Sequence, residues 1–170
     1  MTRLIVDTRE KPRAITGILD TFDRKGIEVV RRALPFGDYR DPDWRDLEGH
    51  PIKHPGFLEP VVDRKQNLSE VCCNLIQQRA RFLREVERAN KAGCHLIVLV
   101  EHSSRIRKLE DVIDWVNPRL KVSPYAVSGE RLFKIMKVTA EHHGFSWAFC
   151  DKRHTGEMII ELLQEPVLPF

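Results

Sequence analysis

The stretch Val61-Val62-Asp63-Arg64-Lys65 ends a strand read over Glu59–Arg64, and a helix opens two residues later at Asn67. Along a strand, successive side chains point to opposite faces. Asp63 and Lys65 therefore share one face, and Arg64 takes the other. The switch from period two to helical spacing comes just after these charges. The stretch thus reads as a buried strand with an acid and a base at its C-terminal end, feeding a helix that packs back on a sheet.

Working outward, the same alternation of strand and helix recurs. Arg3–Asp7 is an apolar run that ends in an acid. Ile15, Ile18, Leu19 and Phe22 repeat at helical spacing and stop at Gly26. Ile27–Leu34 predicts a second strand and Gly37–Arg40 the start of a third. Residues 41–60 hold four prolines and two glycines without a period, which predicts a hairpin excursion or loop. Asn67 with Glu70 makes a capping-box-like start for one long helix. Its apolar stripe runs through Leu68, Val71, Cys72, Leu75, Phe82, Leu83 and Val86, and Arg79, Arg81, Arg84, Arg88 and Lys91 lie on its other face. His95–Val100 predicts a central strand, Ile106–Val116 a shorter helix and Pro118–Ser128 a linker. A helix over Glu130–His143, a strand over Phe145–Cys150 and a helix over Thr155–Leu163 complete the chain. This pattern predicts an α/β sheet sandwiched by helices in one domain, residues 1–170.

Composition narrows the classes. The 170 residues are 42% hydrophobic and 31% charged, which excludes disorder. No apolar run approaches the roughly 18 residues of a membrane span. The N-terminus lacks the apolar stretch of a signal peptide, so a cytoplasmic location in a bacterial or phage-host cell is expected. A net charge of +3 permits a polyanionic partner without demonstrating one. Cys72, Cys73, Cys94 and Cys150 form no C-x-x-C pair and read as buried or half-buried thiols. His50 and His54 lie in the proline-rich excursion without partner cysteines, which argues against zinc.

The chemistry concentrates at strand ends in the first 65 residues: Asp7, Glu10, Asp38 and Asp63, with Arg9, Arg64 and Lys65 beside them. A carboxylate and an ammonium side by side can hold a divalent ion and polarise a water, and Asp38 can add a second carboxylate. Hard oxygen ligands of this kind suit Mg2+ or Mn2+. Taken singly, each residue has a plain structural reading: a helix-start acid pair, a turn aspartate, an edge-strand ion pair. Their joint order on strands favours the metal site.

That order resembles the XPF-type nuclease domain of the PD-(D/E)XK superfamily. Val6-Asp7-Thr8-Arg9-Glu10 is similar to the family's opening motif, Gly37-Asp38-Tyr39 to its GD motif, and Val62-Asp63-Arg64-Lys65 to its acid-Arg-Lys motif. Arg81-Phe82 with Glu85, and the strand Leu96–Glu101, follow in the same order. The resemblance implies a restriction-endonuclease-like three-layer sandwich, with a central mixed β-sheet flanked by α-helices. It implies a Mg2+- or Mn2+-dependent endodeoxyribonuclease that cuts branched DNA, such as flaps, forks and junctions, in repair, recombination or replication.

By the same resemblance, Asp38, Asp63 and the Arg64 backbone carbonyl are metal ligands, and Lys65 positions or activates the water. Asp7 and Glu10 support the metal or its waters. Arg9 contacts phosphate or braces the acids, Arg64 and Arg81 meet DNA, and Trp44 can stack on an unpaired base or anchor its loop. The excursion between Asp38 and Asp63 is in a position to fold over the cleft and select substrate.

The departures are specific. The family has Glu where this chain has Asp63, and an acid where it has Ser69. The 170 residues carry no tandem helix-hairpin-helix domain. A homodimer through the apolar helix around Leu132, Phe133, Ile135, Met136 and Val138, or a separate DNA-binding or helicase partner, would meet that lack. The alternatives are a catalytically silent nuclease-fold subunit that docks DNA or a partner, and a globular protein without a nucleic-acid role.

Overall fold

The computed structural model describes every residue except Leu47, Pro51, Pro55 and Phe170. Six strands form one mixed sheet in the order β2-β1-β3-β4-β5-β6. They are β1 (Arg3–Asp7), β2 (Glu28–Arg32), β3 (Tyr39–Arg40), β4 (Glu59–Lys65), β5 (Cys94–His102) and β6 (Ser146–Asp151). The helices are α1 (Thr16–Arg24), α2 (Leu68–Ile76), α3 (Arg79–Lys91), α4 (Gly129–His143) and α5 (Thr155–Gln164). β1 pairs with β2, β4 with β5, and β5 with β6 in parallel; β3 alone runs antiparallel, between β1 and β4.

Alternation along the central strands builds two cores. Val61, Leu96, Val98 and Val100 pack against α2, α3 and α4 on one face. Leu4, Val6, Tyr39, Val62 and Leu99 pack against α1 and α5 on the other. All seven residues of β4 are buried, as a strand covered on both faces must be. This is the helix-sheet-helix sandwich predicted from the sequence, mixed because of β3.

Two predicted elements differ. The long helix from Asn67 is two helices, broken at Gln77 and Gln78, a break the sequence hides because the apolar stripe continues across it and no Gly or Pro marks it. The helix expected over Ile106–Val116 is a 3-10 turn at Leu109–Asp114. Its tightness lets Gly129, at the start of α4, approach the carbonyls of Val112, Ile113 and Trp115.

The two-residue β3 decides where the active edge lies. The chain leaves β1 for α1 on one face and leaves β4 for α2 on the other. The C-terminal ends of β1 and β4 therefore open a crevice, the usual place for a ligand in such a sheet. Asp38, just before β3, lies between them: its amide donates to the Val62 carbonyl (2.8 Å), and its carbonyl accepts from the Asp7 amide (2.8 Å).

The excursion does not fold over this crevice. Because β3 reverses direction, the chain beyond Arg40 exits at the opposite end of the sheet. There Arg40 and Arg45 bind Glu59, Arg45 also reaches the carbonyls of Ala92 and Gly93, and Leu58 bridges to Val167. Leu47, Pro51 and Pro55 of the excursion lie outside the described residues.

Candidate active site

Gly37 makes the turn that presents Asp38. Its φ is +65°, and a Cβ there would lie 2.4 Å from Val61 Cγ1, so only glycine fits without displacement. The Glu85 carboxylate of α3 accepts from the Gly37 amide (2.9 Å) and holds the turn in place. Asp38 Oδ2 accepts from the Arg64 amide (2.9 Å), which ties it to β4.

Asp63 and Lys65 share the face toward α2 and α3, as the alternation requires. The Lys65 ammonium lies 2.7 Å from Asp63 and donates to Oδ1. Asp63 Oδ2 is buried and meets the same ammonium at 2.7 Å as an ion pair, without a hydrogen bond of good geometry. A buried carboxylate oxygen without a donor is costly unless a cation or proton meets it. Burial and then the Asp63 charge hold the Asp38 carboxyl well above its usual range. Burial opposes the Lys65 ammonium, but the charges of Asp63 and Asp38 outweigh it and push its pKa up. Two carboxylates thus share one firmly protonated lysine. Lys65 also lines a polar cleft of about 180 Å³ with Glu70, Asn74, Gln78, Arg81 and Glu85.

The other sequence-nominated residues divide. Asp7 is fully buried and saturated: Oδ1 accepts from the Arg9 amide and Nε, and Oδ2 from Arg9 Nη2 and the Leu34 amide. It has no lone pair directed to a metal, and Arg9 braces it instead of facing phosphate. Glu10 accepts from the Tyr39 hydroxyl (3.0 Å) and from Arg64 Nε (2.8 Å). Arg64 also donates to Glu101 (2.9 Å), and its side chain is only 3% exposed. Alternation sends the Arg64 guanidinium through the sheet to the α1/α5 side, so it cannot meet DNA. Glu10 follows it there. Trp44 is 1% exposed and anchors the excursion, which leaves no ring face for a base.

Arg81 is exposed at the cleft, whereas Arg79 is tied to Thr139 and Arg88 to the Pro35 carbonyl. Among the described residues, Asp46, Glu48 and His50 form an exposed triplet in the excursion, not at the crevice. In the sequence Glu85 follows Arg81-Phe82 with no role of its own; the structure gives it one at the Gly37 turn. Its spacing beside the inward-facing Phe82 and Val86 is the signal that places it over the crevice.

The family model of the ERCC4 domain matches residues 6–160. This chain belongs to the ERCC4 domain family. Among solved structures, XPF from Aeropyrum pernix in complex with DNA superposes with a TM-score of 0.60 at 18% identity. The match covers 96% of this chain and 64% of that one, so the chain spans under two thirds of its structural relative. Comparison with curated proteins finds no matching relative. In this ERCC4-domain protein, Asp38 and Asp63 lie at the crevice with Lys65, and Glu85 and the Arg64 amide hold the turn that carries Asp38. Among the described residues, no helix is long and apolar enough to cross a membrane.

Proposed function

We propose that this ERCC4-domain protein is a divalent-metal-dependent DNA endonuclease that cuts branched or partly single-stranded DNA in repair, recombination or replication. One observation carries the reading: Asp38 and Asp63 stand together with a single lysine beside a polar cleft, two carboxylates to one cation. An all-oxygen donor set fits a hard cation such as Mg2+ or Mn2+. Asp38, Asp63 and the Arg64 carbonyl would hold it. Such an ion lowers the pKa of bound water and neutralises charge on a phosphodiester.

The chain's own groups do the rest. Lys65, held protonated, donates hydrogen bonds to the attacking water or to a phosphate oxygen and does not serve as the base. Arg81 faces the scissile region from α3 and binds phosphate. Glu85, Gly37 and the Arg64 amide keep the Asp38 carboxylate at its post. Asp is one methylene shorter than Glu, so an ion held by Asp63 sits nearer the strand.

The test is a cleavage panel of linear duplex, single strand, 5′ flap, 3′ flap, fork and four-way junction, with and without Mg2+ or Mn2+, beside Asp63→Ala. Metal-dependent cutting that the variant loses supports the proposal. Intact DNA in every lane overturns it. A silent DNA-docking subunit is the second reading, favoured by Ser69 and by Glu70, whose carboxylate is engaged by the Gln66 amide. Magnesium calorimetry without binding would select it.

A further inference from the structure

Beside the cleft, on the far flank of α2, lies a second groove of about 240 Å³ between α2 and the segment 117–127. The two share one helix: Glu70 and Asn74 face the cleft, while Ser69, Cys73 and Gln77 face the groove. The cleft carries carboxylates, but none of the residues lining the groove is Asp or Glu. Its polar groups are amides, hydroxyls, the thiols of Cys72 and Cys73 and the guanidinium of Arg119, which makes no ion pair among the described residues.

Over this groove stands Tyr125, 91% exposed, held behind Pro124. The loop that carries it is pinned from beneath. The buried Asn117 side chain accepts from the Arg119 amide (3.0 Å) and donates to the Val127 carbonyl (2.9 Å). An exposed aromatic ring on a fixed loop, beside an unpaired cation and a lining free of anions, is a surface for an unpaired base and its phosphate. Double-stranded DNA stacks its bases inward and has no use for such a ring.

We infer that Tyr125 and Arg119 form a platform for the single-stranded arm of a branched DNA, with the ring stacking a base and the guanidinium holding a phosphate. The inference rests on the nuclease reading for the position of the DNA. A helix is about 10 Å across, so a strand leaving the cleft reaches the groove within a few nucleotides.

The test is fluorescence anisotropy in chelator, where no cutting occurs, with the whole chain and two probes: a blunt duplex and the same duplex bearing a single-stranded arm. The arm tightens binding by the wild-type chain. Tyr125→Ala weakens binding of the armed probe about five- to hundredfold, the range for losing one base stack, while Tyr125→Phe retains it. Arg119→Gln lowers the slope of log affinity against log salt by about one phosphate contact. Photo-crosslinking from 5-iododeoxyuridine in the arm yields the peptide containing Tyr125. Equal affinity of wild type and Tyr125→Ala for the armed probe, or a crosslink elsewhere, overturns the platform. Failure of the nuclease reading is separate: it shows as uncut DNA in metal, while the Tyr125 crosslink still forms.

Discussion

Strand β4 carries a carboxylate near each end, and the two could hardly be treated more differently. Glu59 is fully buried and met by two guanidinium groups, Arg40 on both oxygens and Arg45 on Oε2. Asp63, four residues or about 13 Å along the strand, has only the Lys65 ammonium, 2.7 Å away, whose charge also acts on Asp38. The first end has two cations for one anion, the second two anions for one cation. A buried charge that is over-satisfied holds a fold together; one left under-satisfied waits for something from outside.

The comparison breaks most readily at Glu59. Glu59→Ala deprives two half-buried guanidinium groups of their buried carboxylate, and urea unfolding should show a loss of about 3 kcal/mol, the low end for a buried pair because both arginines are partly exposed. A loss below about 1 kcal/mol would mean that this end is not a structural clamp. At the other end, Mg2+ at a hundred times its Kd should stabilise the wild-type chain by about 2.7 kcal/mol, read as a rise in melting temperature. Asp38→Asn should abolish that rise while folding normally without metal; a rise equal to wild type would place the ion elsewhere.

Gly37→Ala probes the turn between the two ends. Its positive φ and the contact with Val61 should cost about 1–3 kcal/mol, and cutting should fall with it because Asp38 shifts. Unchanged cutting would show that the turn does not set the site.

The smallest effect concerns Asp7, the third carboxylate and a saturated one. Burial pushes its carboxyl up, but hydrogen bonds from Arg9 and the Leu34 amide overcome this and hold it below the ordinary value of 3.8. A lowered folded-state value means stability that is present above pH 3.8 and is lost as pH falls through the folded value. Asp7→Asn should flatten this acid limb in a pH series of denaturation midpoints. An unchanged limb would assign the acid sensitivity to other carboxylates.

How far the sequence could be read follows from where the information lies. The Arg3–Asp7 and Glu59–Lys65 strands were legible because apolar runs ending in acids need only local alternation. The same alternation placed Asp63 with Lys65 and Arg64 opposite. Register is not local. That Arg64 meets Glu10 and Glu101 depends on which strands neighbour β4, so a guanidinium expected at DNA is buried on the far face. The break at Gln77–Gln78 left no mark, since both residues suit a helix interior. Trp44 and Tyr125 differ only in where their loops are fastened: one by the buried Glu59 cluster, the other on Asn117 at the rim of a groove.

The reversed β3, two residues long, also sorts the molecule into a working edge and a spare one. The described residues between Arg40 and Glu59 are tied down at the spare edge, away from the crevice. That makes the excursion a place where new sequence can be spliced without disturbing the crevice. A fluorescent domain or affinity handle placed between Gly49 and His50, both exposed, would ride on the back of the protein while DNA occupied the front.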